Sequence, residues 1–209
     1  MTPVAVVTGA SRGIGAATAA ALRARGYEVR DLSRASGVDI RDEAAVVAAF
    51  AALPRLDALV NNAALLVIRP IVEHSADDWD QVLGVGLRGA FLCAREALGR
   101  MTAGGAIVNV SSLSGVAGAE KFPNMAAYVA AKSGLAGLTE ALAVEAKPLG
   151  IRVNAVSPAT VDTDMGRAAG IGQTPLSAEE VARVIAWLAT DESAPLTGAN
   201  IRIDPPARG

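Results

Sequence analysis

Short apolar runs alternate with helical patterns along the whole chain, and this alternation restricts the fold more than any other feature. Strand-like runs are TPVAVVT (2–8), YEVRDLS (27–33), LDALVNN (56–62), AIVNVSS (106–112), IRVNAVS (151–157) and ANIRIDP (199–205), with GVDI (37–40) at best a very short strand. Helical patterns lie between them at 14–25, 42–53, 75–101, 124–146 and 177–190. Strands separated by helices cannot close as hairpins; they pair in parallel and are covered by helices on both faces. The expected fold is therefore α/β, a Rossmann-like doubly wound parallel sheet in a single domain spanning residues 1–209. Ligands in such sheets bind at the carboxyl ends of the strands. One strand fits poorly: Arg30 and Asp31 are unusually polar for a buried run.

Composition removes several function classes. No apolar run approaches the roughly 20 residues of a membrane span. MTPVAVVTGASRG turns at glycine too soon for a signal peptide, so a cytoplasmic protein is expected. The single cysteine, Cys93, excludes an internal disulfide and reads as a packed apolar residue; with one histidine, His74, it leaves no metal site. A net charge of −2 with interspersed signs gives no nucleic-acid footprint.

Two motifs carry chemistry. The first strand runs into TGASRGIG (8–15), whose glycines permit a tight turn before a helix that offers its N-terminal amides to a pyrophosphate. Tyr128 and Lys132 stand at i and i+4, on one helix face. An ammonium beside a phenol favours the phenolate and lowers the phenol's pKa. A strand ending in Ser111 and Ser112 precedes the pair and finishes at the same sheet edge as the glycine turn. A hydroxyl, a phenol and a cation beside a dinucleotide suit hydride transfer to a carbonyl, with tyrosine as the proton donor.

Taken together, TGASRGIG, VDI (38–40), NNAA (61–64), IVNVSS (107–112), YVAAK (128–132), RVNAVSPATVDTDM (152–165) and TGANIRID (197–204) make the chain resemble the short-chain dehydrogenase/reductase superfamily. The resemblance implies that Ser112 holds the substrate carbonyl, that Tyr128 is the general acid/base, and that Lys132 binds the nicotinamide ribose. It assigns the cofactor to Gly9, Ser11, Arg12, Gly13, Ile14 and Gly15 of the turn, and to Ser33 and Arg34 after the second strand. Asp39 and Ile40 would meet the adenine, and Asn61 and Ala63 would lie near the adenosine ribose. Pro158, Val161 and Thr163 would meet the nicotinamide end. Arg12 and Arg34, with no carboxylate at position 33, favour NADP(H) over NAD(H), because guanidinium pairs with a 2′-phosphate bidentately. Asp31 dissents: a strand register slipped by two residues would make it an acid suited to NAD.

The chain also departs from the family pattern. The stretch from Ser33 to Val38 is too short for the helix that usually follows the second strand. Ala64 and Ala159 replace commoner glycines. AEKFPNM (119–125) lengthens the path from Ser112 to Tyr128, which leaves Ser114 as a second candidate hydroxyl. The substrate lid is shortened to GRAAGIGQTPL (166–176), implying an open cleft. Gly86, seven residues after Trp79, stands where relatives carry an asparagine that anchors a water beside the lysine. A water in the vacated volume is the expectation, with turnover raised or unchanged on Gly86→Asn.

The expected function is that of an NADPH-dependent carbonyl reductase or alcohol dehydrogenase acting on a ketone or aldehyde, with a small molecule as substrate. The alternatives are a 3-oxoacyl thioester reductase, an isomerase or dehydratase using the same residues, and a cofactor-binding protein of weak or non-redox activity because of Gly86. Relatives usually assemble through their two long helices and last strand, so a homodimer or homotetramer is expected.

Overall fold

The structure, a computed structural model, describes residues 2–170 and 176–205. Its elements in chain order are β1 (Val4–Thr8), α1 (Gly13–Ala24), β2 (Glu28–Leu32), α2 (Glu43–Ala51), β3 (Ala58–Asn61), α3 (Ala76–Leu83), α4 (Gly89–Leu98), β4 (Ala106–Val110), α5 (Ala126–Ala146), β5 (Arg152–Pro158), α6 (Asp164–Ala169), α7 (Ala178–Leu188) and β6 (Asn200–Ile203). The strands form one parallel sheet in the order β2-β1-β3-β4-β5-β6. The strand order reverses between β1 and β3, and a doubly wound sheet opens its ligand crevice at that point.

Helices cover both faces, so the central strands β1, β3 and β4 are buried at every residue and read as continuous apolar runs rather than alternating ones. Val6, Leu59 and Ile107 point toward α2, α4 and α5, where they join Phe50, Leu92 and Cys93. Ala5, Val7, Val60 and Val108 point the other way, against Leu22 of α1 and Ile185 of α7. A third, smaller cluster of Val82, Ala127 and Ala131 fixes α3 on α5 at the carboxyl edge. Among the described residues, no helix is long and apolar enough to cross a membrane.

GVDI, at best a very short strand from the sequence, forms none: residues 37–40 are loop and turn. Only a short 3₁₀ turn, Arg34–Ser36, and a loop join β2 to α2. β2 is therefore an edge strand, and its register against β1 pairs Val7 with Asp31. Glu28 and Arg30 lie exposed and paired with each other at 2.5 Å. This accounts for the polar residues that looked out of place in a buried strand, because exposed edges carry charge to block further pairing.

The second difference lies in the expected helix over 75–101. It begins as predicted at Ser75, whose side chain caps Asp78 in a reciprocal box. Residues Gly84–Arg88 then form a π turn before α4 resumes. The three glycines at this interruption answer to packing. A β-carbon on Gly89 would stand 2.7 Å from Cδ1 of Ile40, and one on Gly86 would stand 3.2 Å from the β-carbon of Ala131. They let the helix approach the β2–α2 loop on one side and α5 on the other.

Candidate active site

Thr8 and Asn62 tie the switch point together. The Thr8 hydroxyl accepts from the amides of Asn62 and Ala63, both at 3.0 Å, and the Asn62 side chain donates to the carbonyls of Thr8 and Gly9. Over this junction the turn 9–13 leads into α1. Gly15 is obligatory here, since a β-carbon would meet the Gly9 carbonyl oxygen at 2.2 Å. Unlike α3 and α7, whose first amides are taken by Ser75 and Ser177, α1 has no side-chain cap and no acidic residue in its first turn. Its free amides and partial positive charge are suited to an anion such as a pyrophosphate.

A cleft of about 510 Å³ starts at this helix end. It extends one way to Ser33, Arg34, Asp39 and Ile40, and the other way to Tyr128, Lys132 and Thr163. Of the residues singled out in the sequence, Gly9, Ser11, Arg12, Gly13, Ile14, Ser33, Arg34, Asp39, Ile40, Ala63, Tyr128, Lys132 and Thr163 line it. Gly15, Ser112, Pro158 and Val161 are not among the residues that line it. The Val161 carbonyl instead accepts from the Thr163 hydroxyl at 3.5 Å.

Asn61, expected beside the ribose, faces away from the cleft. Its amide donates to Asn109 Oδ1 at 2.9 Å and to the Ala90 carbonyl at 3.3 Å, inside the sheet. The next residue reaches the wall instead, because side chains alternate along a strand; Asn62 was quoted in the motif without a role. Asp31, the residue that could have argued for NAD, is occupied. Its Oδ1 accepts from the Ala10 amide at 3.0 Å and its Oδ2 from the Ser33 hydroxyl at 2.8 Å. Arg34 is exposed and unpaired among the described residues, and Arg12 has only a distant partner, Asp164, at 3.9 Å.

At the other end Tyr128 is half-buried, and its hydroxyl hydrogen-bonds the Ser112 side chain. Ser112, not Ser114, is therefore the serine beside the tyrosine. Ser114 is buried, and its amide donates to Ser112 Oγ at 3.1 Å. The Lys132 ammonium lies 5.6 Å from the centre of the tyrosine ring and donates to the Val110 carbonyl at 2.5 Å. Ser111, which the sequence reading left without a role, donates to the carbonyl of Lys132 at 2.9 Å and so ties α5 to the end of β4. Burial pushes the Lys132 ammonium down to about 8. It pushes the Tyr128 phenol up, with the Ser112 hydrogen bond opposing. The lysine does not produce the expected lowering of the phenol: desolvation dominates, with only the Ser112 hydrogen bond opposing, and the phenol stays protonated at neutral pH, the state a proton donor needs.

Gly86 is buried against Ala131, the residue before Lys132. This is a packing reason for the glycine, where the sequence predicts a water-filled vacancy. Gly86→Asn is now expected to destabilise the fold by about 1–3 kcal/mol, the usual cost of overpacking, and to lower turnover by displacing α5. Chemical denaturation and kcat of the purified variant check this; a variant as stable as the parent with raised turnover would restore the sequence expectation. Cys93, buried with its thiol pushed up to about 12, takes no part. No cluster of metal-ligating side chains occurs among the described residues.

A family model described as enoyl-(acyl carrier protein) reductase matches residues 31–205. The trans-4-hydroxycyclohexanecarboxylate dehydrogenase of Sinomonas cyclohexanicum is 37% identical, covering 96% of this chain and 91% of its own length. That alignment spans 238 positions against 209 residues here, so the relative carries segments this chain lacks. The 3-oxoacyl-[acyl-carrier-protein] reductase FabG of Staphylococcus aureus is 33% identical over 98% of this chain and 97% of its own. Among solved structures, the aldohexose dehydrogenase of Thermoplasma acidophilum superposes with a TM-score of 0.90 at 28% identity, covering 100% of this chain and 97% of that one. A short-chain dehydrogenase from Burkholderia cenocepacia in complex with NADP gives 0.88 at 31% identity, covering 97% and 96%.

Proposed function

The chain belongs to the short-chain dehydrogenase/reductase superfamily, and on that premise we propose that this NAD(P)-dependent oxidoreductase is an NADPH-dependent carbonyl reductase, interconverting a small ketone or aldehyde with its alcohol. The observation that carries the reading is the grouping of Tyr128 and Lys132, with Ser112 against the tyrosine hydroxyl, at one end of a cleft whose middle is the uncapped start of α1. A bound nicotinamide would supply the hydride. Ser112 donates a hydrogen bond to the carbonyl oxygen, and Tyr128 delivers its phenolic proton to the same oxygen. Lys132, a buried cation beside the ring, then stabilises the phenolate that remains. The turn 9–15 holds the pyrophosphate, and Thr163 lies on the wall at the nicotinamide end. The experiment is NADPH consumption against a panel of ketones and aldehydes; tight cofactor binding with no turnover on any member would move the reading to a binding protein.

The preference for NADP(H) rests on exposed Arg34, and on Arg12 held only by a 3.9 Å ion pair to Asp164, as partners for a phosphate while Asp31 is held by Ala10 and Ser33. Arg34→Ala should weaken NADPH binding by roughly 10–100-fold, as expected for a charge-assisted contact, and leave NADH binding within twofold. Calorimetric titration of both cofactors decides the point, and tighter binding of NADH by the parent protein would overturn the preference.

Similarity to FabG favours a second reading, a 3-oxoacyl thioester reductase. A small acyl thioester in the panel tests it separately from a carrier protein. The site belongs to a single domain, which we place in the cytoplasm. Phe91 of α4 and Val144 of α5 are exposed on the helices through which relatives assemble; they support a homodimer or homotetramer, and sedimentation tests that assignment.

A further inference from the structure

Resting on the cofactor reading above, we infer that the Arg41 guanidinium, clamped by Asp39, forms one wall of the adenine site and carries affinity common to both nicotinamide cofactors. Because residues 37–40 form no strand, the loop from Val38 to Arg41 runs directly along the cleft, and Arg41 lines it beside Gln81 and Val85 of the facing helix. The Arg41 Nε lies 3.0 Å from both Asp39 oxygens, its Nη2 lies 2.6 Å from Oδ2, and its amide donates to Oδ1 at 3.0 Å. The Arg41 carbonyl accepts from Arg88 Nη1 at 2.7 Å. The stem passes close to Gly84, where a β-carbon would only just touch Cδ at 3.4 Å. Backbone and head group are thus fixed before any ligand arrives, and the ordering cost of a long side chain has already been met.

The Arg41 side chain is 39% exposed. A planar guanidinium stacks well on an aromatic base. Its charge is neutralised by Asp39, whose carboxyl the same hydrogen bonds hold below the usual range. A neutral pair has little pull on a 2′-phosphate, in contrast to exposed Arg34 and Arg12. Asp39, expected to meet the adenine itself, becomes the anchor of the residue that does.

Calorimetric titration with AMP and with adenosine 2′,5′-bisphosphate tests this on the intact protein without any turnover. Arg41→Ala should weaken both ligands by about tenfold, whereas Arg34→Ala should weaken only the bisphosphate. Arg41→Met, which keeps the stem over Gly84 but loses the planar head, should match Arg41→Ala and guards against a packing effect. Unchanged AMP binding in both Arg41 variants would overturn the inference, as would a loss confined to the bisphosphate. If the parent protein binds neither ligand, the cofactor reading itself fails, a result distinct from either.

Discussion

Tyr128→Phe should lower carbonyl reduction by about 10²–10⁴-fold, the usual contribution of a positioned proton donor, while cofactor Kd stays within twofold. The ring remains against the wall, so the loss is confined to the proton, and Ser112 keeps a carbonyl oxygen to hold. Burial raises the phenol's pKa, so the phenol stays protonated well above neutral pH, and reduction by the parent protein should fall first as Lys132 loses its proton at about 8. Stopped-flow or steady-state rates across the pH range measure both effects. A variant retaining more than about a tenth of the parent rate would mean that another group supplies the proton.

Lys132→Met should abolish most activity and yet stabilise the fold. Burial lowers the Lys132 ammonium from its ordinary 10.5 to about 8. Below pH 8 the group is protonated in both states and the folded protein carries the full cost of a buried charge, on the order of 3 kcal/mol for such a shift. Between about pH 8 and 10.5 the unfolded chain still binds a proton that the folded chain has lost, so this residue makes stability rise with pH. Methionine removes both the cost and the slope, at the expense of one hydrogen bond to the Val110 carbonyl, worth about 1 kcal/mol. Urea denaturation at pH 7, 9 and 10.5 compares the two proteins. A variant less stable than the parent at pH 7 would mean that the ammonium is better solvated than its burial implies. The expected exchange of stability for activity is common where a site needs a charge out of water.

Much of this architecture is legible in the residues because each signal has one physical cause. Apolar runs too short for helices, separated by amphipathic segments, leave a parallel sheet as the solution, and Ser75 and Ser177 mark their helix starts through capping boxes. Tyr128 and Lys132 fall together because helical spacing is local. What the sequence hid depends on contacts far apart in the chain. Asn61 and Asn62 look equivalent until the strand's alternation turns one into the core and one into the cleft. Arg30 and Asp31 were visibly anomalous, but only the missing strand at 37–40 shows them at an edge. Gly86 read as a lost side chain because its neighbour, Ala131, is 45 residues away. The pKa direction of Tyr128 likewise depends on how deeply tertiary packing buries it, which no spacing reveals.

The free flank of β2 has a consequence for how this chain can change. The stretch from Ser33 to Val38 lies beyond the last residue of an edge strand, with Arg34 to Gly37 in solvent. Lengthening a flexible loop costs only about 0.6 kcal/mol per doubling. Residues could be inserted at Ala35–Gly37 with little effect on the sheet, and the same seam is the natural place to graft a helix or a reporter peptide. The charged pair at Glu28 and Arg30 would meanwhile keep the uncovered rim from recruiting a neighbour's strand.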